Sequence, residues 1–296
     1  MIRMRFIPIV ALLLVFQACS LLQPYAGMLD EAETAYEAGR EEEALNLYRE
    51  AITAMEAQDK DISGEVYNRA GLLAFSIGEI ALSIEYLESA RQTPAAKAET
   101  FYTLAKAYRE QDNLSLEISN LERYVEQYPD GDAFDEMQLR FFETMVESRN
   151  WQQADELWPS LGEKRFQDED LLTDYMVVKK NLGDEERVTE IAEKLLALNE
   201  NNIEALEWLA KEHFHVAQRR YQKEMDAYEE NRTHQQYARL LEAWDVIHTD
   251  FRIALNYFER LYKLKPDPDY IQYLVNLHER LNNDDEAHYY RQKLNE

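Results

Sequence analysis

The sequence contains little cysteine, glycine or proline and has few positive charges. Among its 296 residues there are one cysteine, eight glycines and seven prolines. The single cysteine, Cys19, excludes an intramolecular disulfide and a cysteine metal cluster. Because glycine and proline punctuate turn-rich β structure, their scarcity favours long helices, and we expect an all-α protein.

Acidic residues outnumber basic residues, 58 to 32. Nucleic acid is not expected as a partner, because binding to phosphate needs an excess of Lys and Arg. The excess acids have two interpretations. They form solvated helix faces that keep the protein soluble, or they attract a basic partner or a divalent cation.

Sequence motifs of enzymatic chemistry are also missing. The chain has no Gly-x-Ser-x-Gly nucleophile motif, no glycine-rich phosphate loop and no His-Glu-x-x-His zinc motif. His213 and His215 are two residues apart, so on a helix their side chains diverge by about 200°. We therefore predict a protein that is not an enzyme and has no metal site and no small-molecule cofactor.

The first nineteen residues have the pattern of a secretory signal peptide. Arg3 and Arg5 precede an uncharged apolar run at 6–16, and the small residue Ala18 stands before Cys19. The apolar run is too short to span a bilayer. We predict that residues 1–19 are a lipoprotein signal peptide ending at Cys19.

The segment Phe16-Gln17-Ala18-Cys19 resembles a bacterial lipobox. The resemblance implies that Cys19 carries a diacylglycerol thioether and becomes the mature N-terminus; the alternative is a chance cysteine in a signal that is cleaved elsewhere. In lipoproteins of this kind, an Asp directly after the cysteine favours retention at the inner membrane. This chain has Ser20 at that position, which implies the outer membrane. The absence of acids between Ser20 and Met28 implies its periplasmic face. Without the leader, 30 basic and 58 acidic residues give a formal charge of −28.

A spacing of four and then three residues recurs along the chain. Examples are Ala44-Tyr48-Ala51, Ser83-Leu87-Ala90, Glu117-Leu121-Tyr124 and Ala254-Phe258-Leu261. Residues at these offsets share one face of an α-helix. A helical unit repeated in this way is expected to stack into a solenoid.

On a 34-residue frame the chain resembles the tetratricopeptide repeat (TPR) family. The best unit begins at Ala98 and includes Phe101, Leu104, Ala105, Tyr108, Leu121, Tyr124 and Pro129. The preceding unit begins at Gly64 and includes Tyr67, Ala70, Gly71, Ala74, Ser83, Leu87 and Ala90. The resemblance, which extends to Bacteroidota-type TPR lipoproteins of unknown activity, implies a right-handed α-solenoid of about seven antiparallel hairpins at 28–296. Residues 20–27 would then be a short tether.

Two units depart from the frame. In the fourth, the bulky Phe142 occupies a position where the family prefers a small residue. In the sixth, no glycine or proline occurs between Ile203 and Pro266, which predicts an elongated helical hairpin at 203–264 that turns near Thr233. The spacing predicts a packed seam formed by Tyr221, Met225, Tyr228, Tyr237, Leu240, Leu241 and Trp244.

In the TPR family, the first helix of each unit lines a concave groove, mainly through frame positions 2, 5, 9 and 12. At these positions the second and third units place Glu65 and Glu99, together with the predicted contact residues Asn68, Leu72, Phe75, Tyr102, Lys106 and Arg109. Tyr102, Lys106 and Arg109 form an aromatic and cationic patch that suits a peptide or a carboxylate. The alternative is that Lys106 and Arg109 only balance neighbouring acids.

These patterns predict a lipid-anchored TPR scaffold or adaptor that binds a protein or peptide partner at the periplasmic face of the outer membrane. The alternative is a lipoprotein for glycan capture, in which exposed aromatics such as Trp151, Trp158 and Tyr102 stack on sugars. The two predictions differ in the burial of tryptophan. The scaffold requires most of these side chains between helices, whereas glycan capture requires an exposed cluster.

Overall fold

The computed structural model describes residues 24–294, apart from the side chains of Pro24 and Lys164. The predicted signal peptide and the lipid attachment at Cys19 lie outside the described residues. The described chain forms fourteen α-helices and no β-strand, and it divides between Gly131 and Asp132 into two compact units. No helix within the described part is both long and apolar enough to cross a membrane.

Six helices form the N-terminal unit. They are α1 (Pro24–Glu37), α2 (Glu41–Glu56), α3 (Gly64–Ser76), α4 (Ile80–Arg91), α5 (Ala98–Glu110) and α6 (Leu114–Gln127). Each odd-numbered helix packs against the helix that follows it, and successive hairpins contact each other through α2 with α3 and α4 with α5. These hairpins are the first three predicted repeat units.

Small residues let the two helices of a hairpin approach closely. Gly71 on α3 faces α4, where an added Cβ would lie 2.6 Å from Cγ of Leu87. Ser83 on α4 and Ala105 on α5 are also buried. The short turn between α3 and α4 contains Gly78 at a φ of 84°, a conformation that glycine adopts without steric cost. The frame positions predicted to be small are therefore contact positions between helices.

The first helix includes part of the predicted tether. α1 begins at Pro24, four residues before the expected boundary at Met28. Tyr25 is 8% exposed and packs in a small apolar cluster with Ala51 and Met55 of α2. Residues 24–27 therefore belong to the first hairpin, because a proline is compatible with the first turn of a helix and Tyr25 gains burial there.

Eight α-helices form the C-terminal unit. They are α7 (Phe134–Glu147), α8 (Trp151–Leu157), α9 (Glu169–Leu182), α10 (Glu185–Leu198), α11 (Ile203–Glu230), α12 (His234–Leu264), α13 (Pro268–Arg280) and α14 (Asp284–Leu294). Each packs against the next, and two 3₁₀ turns, Trp158–Leu161 and Glu163–Phe166, lie between α8 and α9. The described helices confirm the predicted all-α solenoid fold class of about seven hairpins.

An aromatic stack replaces the close helix contact in the fourth hairpin. Phe142 is fully buried, and its ring centroid lies 5.5 Å from that of Trp158. The Trp158 ring stacks on Tyr175 of α9 with a centroid distance of 3.9 Å. α8 has only seven residues, and the backbone continues from Trp158 as a 3₁₀ turn. In the other units a small residue lets the two helices approach closely. In the fourth hairpin, large aromatic side chains fill the space between the helices instead.

The sixth hairpin is elongated. α11 has 28 residues and α12 has 31, so they are about 42 and 46 Å long at 1.5 Å per residue. Oδ1 of Asn202 accepts a hydrogen bond from the backbone N–H of Ala205 at 2.9 Å and caps α11. The hydroxyl of Thr233 accepts one from the backbone N–H of Gln236 at 3.2 Å and caps α12.

Aromatic pairs close the seam of this hairpin. The ring centroids of Tyr221 and Trp244 are 5.7 Å apart, and those of Tyr228 and Tyr237 are 5.8 Å apart. The prediction for Leu241 is wrong, since this side chain is 51% exposed. Leu240, its neighbour in the sequence, is buried, and consecutive residues on a helix point about 100° apart.

Candidate functional site

The predicted contact residues of the third unit lie along α5. The Lys106 ammonium donates a hydrogen bond to the Tyr102 hydroxyl at 2.9 Å and lies 4.8 Å from the centroid of its ring. Both side chains are half-buried, and Arg109 is exposed near the end of the same helix. Tyr102 and Lys106 therefore form a joined aromatic and cationic pair, and their contact with a partner stays a prediction.

The predicted contact residues of the second unit are more enclosed. Asn68 is 5% exposed, and its Oδ1 accepts a hydrogen bond from the Thr100 hydroxyl at 2.6 Å, so this residue joins α3 to α5. Leu72 packs against a buried cluster that includes Leu87 and Leu104, and Phe75 is half-buried. The structure thus gives Asn68 and Leu72 roles between helices.

Two clefts on the C-terminal unit offer a larger surface. The first has a volume of about 360 Å³ and lies between α9 and α11; the second, of about 630 Å³, lies between α11 and α13. Both are bordered by Glu207, Lys211 and His215 of α11. We call the two together the repeat cleft. Its helices are the first helices of the fifth, sixth and seventh hairpins, so it occupies the face that the family resemblance assigns to partner binding.

The wall of the repeat cleft is partly apolar. Val177 of α9 is 37% exposed, and Met176 lies beside it. Trp208 of α11 is half-buried, and its indole N–H donates a hydrogen bond to the Thr189 hydroxyl at 3.0 Å, which fixes the ring against the wall. An exposed aliphatic group beside a held aromatic ring can bury an apolar side chain of a ligand.

Charged side chains of both signs surround this apolar wall. Lys180 and Lys211 lie on the border of the cleft with several glutamates. The Glu207 carboxylate accepts hydrogen bonds from the Lys211 ammonium and, at 3.1 Å, from the Tyr270 hydroxyl. Burial opposes ionisation of Glu207, but these two donors outweigh it and hold the pKa of the carboxyl below its usual value. Burial and the nearby Glu207 raise the pKa of Tyr270 to about 12, so Tyr270 stays a neutral donor.

Aromatic contacts hold α11 against α13 at the second part of the cleft. The ring of Phe214 meets that of Tyr273 edge-on, with a centroid distance of 5.1 Å and an interplanar angle of 89°. Tyr273 also stacks on Phe258 of α12 at 4.4 Å. The helices that carry the cleft residues are therefore fixed by a packed core, which gives a binding surface a defined shape.

The positions of the TPR frame that predict contact residues in the second and third units also select residues of the repeat cleft. Positions 5, 9 and 12 counted from Glu169 are Thr173, Val177 and Lys180, and all three line the repeat cleft. Positions 5 and 9 counted from Ile203 are Glu207 and Lys211. The same rule that selected Tyr102 and Lys106 thus selects the cleft residues in the later units.

The tryptophans do not form an exposed cluster. Trp158 is 3% exposed inside its aromatic stack, and Trp151, Trp208 and Trp244 are each half-buried. Their burial agrees with the expectation for a scaffold and provides no stacking platform of the kind that glycan capture requires. Among residues 24–294, no group of three or more His, Cys, Asp or Glu side chains is placed to hold a metal ion.

The chain matches no protein-family model and no curated protein. Among solved structures it is similar to a putative protein-binding protein from Bacteroides ovatus, with 17% identity, a TM-score of 0.49, and coverage of 64% of this chain and 99% of that one. It is also similar to the C-terminal part of a TPR protein from Cytophaga hutchinsonii, with 16% identity, a TM-score of 0.45, and coverage of 90% and 93%. YrrB, a TPR protein with an unusual peptide-binding site, has 16% identity, a TM-score of 0.47, and coverage of 62% and 91%.

These similarities are distant. The fold is therefore assigned from the spacing and packing of the chain's own helices. The hairpins that begin with α3 and α5 start 34 residues apart, at Gly64 and Ala98, and Gly71 lies at the contact between α3 and α4. Antiparallel helix pairs with this period and these small contact residues define a TPR-like helical-repeat fold.

Proposed function

We propose that this protein is a non-enzymatic, lipid-anchored scaffold that binds a protein or peptide partner at the periplasmic face of the outer membrane. The observation that carries the proposal is the repeat cleft. Three successive first helices present an exposed Val177 and a held Trp208 beside lysines and glutamates. Such a surface can bury apolar side chains of a peptide and pair with its charged groups.

The mechanism of a scaffold is positional. A lipid on Cys19 would hold the chain at the membrane, because each buried acyl CH₂ adds about 0.8 kcal/mol of anchoring free energy. A rigid cleft on an anchored protein raises the local concentration of whatever it binds. The leader pattern ending at Cys19 and the Ser20 that follows it support the choice of membrane and face.

The cleft is tested by a matched pair of substitutions. Val177→Ser removes an exposed aliphatic group from the cleft wall, and Leu198→Ser makes a similar change at a 46% exposed residue of α10 that does not line the cleft. After crosslinking in the native envelope, partners are quantified by mass spectrometry for each variant. We expect Val177→Ser to reduce a specific partner several-fold and Leu198→Ser to leave it unchanged. Equal recovery with both variants would contradict the proposal.

The anchor is tested separately. Cys19→Ser is expected to abolish incorporation of labelled palmitate and to release the protein from the membrane fraction, because no other cysteine is present. Ala18→Ser, which keeps a small residue before the cysteine, serves as the control and should remain lipidated. Palmitate labelling of Cys19→Ser would exclude this attachment site.

A further inference from the structure

A second groove lies on one side of the elongated hairpin, outside the repeat cleft. It has a volume of about 560 Å³ and is bordered by Val216, Arg219, Arg220, Lys223 and Glu224 of α11 and by Ala243 and Val246 of α12. We call it the arm groove. Its lining residues on α11 recur at offsets of three, four and seven, so they form one stripe along the helix.

The floor of the arm groove is apolar and accessible. Val216 and Ala243 are half-buried, and Val246 is 50% exposed. Two antiparallel helices in contact leave a channel between them that accepts the side-chain ridge of a third helix. The arm groove therefore has the shape and the surface that a helical ligand requires.

The length of the hairpin explains why this side is open. α11 and α12 have 28 and 31 residues, whereas the helices that flank them, α10 and α13, have 14 and 13. Helices of half the length cover only part of the long pair, since length is proportional to residue number. The far end of the hairpin is held across its own seam by the Tyr228–Tyr237 pair.

The border of the arm groove is cationic, in contrast to the chain as a whole. Arg219, Arg220 and Lys223 face a single acid, Glu224, within the lining, although the full chain has a formal charge of −26. Arg220 pairs with Asp250 at 3.0 Å and is held in place. The Arg219 side chain is 68% exposed, 3.6 Å from Glu212, and Lys223 is exposed. The acids that pair with the two arginines are less exposed than the arginines themselves, 18% for Asp250 against 41% for Arg220 and 31% for Glu212 against 68% for Arg219. The groove therefore presents mainly cationic groups to a ligand, which favours a negatively charged one.

We propose that the arm groove binds an acidic amphipathic helix of a partner protein. Apolar side chains at offsets of three and four on that helix would pack on Val216 and Val246, and its flanking carboxylates would pair with Arg219 and Lys223. This interaction goes beyond the proposed function of the repeat cleft and does not depend on it. Because Arg219 also borders the repeat cleft, the tests below use Lys223 and Val246, which line only the arm groove.

The first test uses two synthetic helical peptides on the full chain. Both have leucines at offsets of three and four; one has glutamates on the flanks of the leucine stripe and the other has lysines at the same positions. Fluorescence anisotropy of labelled peptide is measured at low and high salt. We expect the glutamate peptide to bind, to weaken as salt rises, and to bind at least about tenfold more tightly than the lysine peptide.

The second test locates the binding with two matched pairs of substitutions. Lys223→Glu is compared with Arg239→Glu, an equal charge reversal at an exposed residue of α12 outside the groove. Val246→Ser is compared with Leu241→Ser, since the two side chains are 50% and 51% exposed. We expect Lys223→Glu and Val246→Ser to weaken the glutamate peptide about fivefold or more and both controls to leave it within about twofold.

Three results would overturn the proposal. One is that neither peptide binds, or that the lysine peptide binds as tightly as the glutamate peptide. Another is that each control variant loses as much affinity for the glutamate peptide as the groove variant with which it is matched. The last is that phosphatidylglycerol vesicles bind the Cys19→Ser chain in a Lys223-dependent manner while the glutamate peptide does not, which would identify a lipid surface as the ligand.

Discussion

The carboxyl group of Asp174 on α9 lies among other acids. It is half-buried, and burial together with the charges of Glu143, Asp170, Glu147 and Asp168 raises its pKa from 3.8 to about 6. Since the folded state binds this proton more tightly than the unfolded state, the contribution to stability is present below about pH 4 and is lost as pH rises through about 6. At pH 7 the ionised group therefore opposes folding.

Asp174→Asn is expected to remove the unfavourable effect of the ionised Asp174 carboxylate on folding at pH 7. It should raise the free energy of unfolding at pH 7 by up to about 2 kcal/mol and have little effect at pH 4, where the native carboxyl is already protonated. Urea unfolding of both proteins at pH 4 and pH 7 measures the difference. Asp170→Asn, at an exposed neighbour, is the control and should change less. An equal gain at both pH values would show that the charge of Asp174 is not the cause.

The hydroxyl of Thr100 connects two repeat units. It donates to Oδ1 of Asn68 at 2.6 Å and accepts a hydrogen bond from the backbone N–H of Lys97 at 2.9 Å, and Thr100 is fully buried. Thr100→Val keeps the shape of the side chain but leaves the side-chain carbonyl of Asn68 without its donor. We therefore expect the free energy of unfolding to fall by about 1–3 kcal/mol. The double variant Asn68→Leu with Thr100→Val should lose less than the sum of the two single changes in denaturant unfolding. Additive losses would indicate that the hydrogen bond contributes nothing.

The hairpin as an element depends on how closely its two helices approach. At Gly71 an added Cβ would lie 2.6 Å from Cγ of Leu87 and 3.1 Å from its backbone nitrogen, whereas at Gly27 nothing lies within 4 Å. Both glycines are within helices. The two positions therefore separate the cost of steric overlap from the intrinsic preference of helices for alanine.

Gly27→Ala is expected to stabilise the protein by about 0.5–1 kcal/mol, because alanine is the better helix former. Gly71→Ala is expected to destabilise it by about 1–3 kcal/mol despite the same gain, because α3 and α4 must move apart. Thermal unfolding of both variants beside the native chain gives the comparison. If Gly71→Ala were as stabilising as Gly27→Ala, the close contact between these helices would be disproved.

The elements differ in how well the sequence predicts them. The sequence predicts elongated helices at 203–264, because no glycine or proline interrupts them and Thr233 is a clear cap for α12, but it does not predict that Leu241 is exposed. The short α8 is not predicted, since its end depends on the stack of Trp158 against Tyr175, a contact between residues far apart in sequence. The start of α1 at Pro24 is also not predicted by the sequence pattern, because it depends on the burial of Tyr25 against α2.

At the scale of the whole molecule, repetition predicts where a binding face can lie but not which part of it is open. The frame positions select surfaces on the second, third, fifth and sixth units alike. In the second unit Asn68 is buried, and its side chain accepts a hydrogen bond from the next hairpin. In the fifth unit Val177 is exposed beside a cleft. Side-chain packing between hairpins makes this difference, and a one-dimensional frame does not contain it.

Site-specific photocrosslinking in living cells can show whether the repeat cleft binds a partner. A photoreactive amino acid is placed at Val177 in the repeat cleft, which is 37% exposed, and at Leu198 on α10, which is 46% exposed and serves as the control. We expect one defined crosslinked protein or peptide from position 177 that is absent from position 198 and is lost when Lys180→Glu is added in the cleft. Identical products from both positions, or no product from position 177, would contradict partner binding by this cleft.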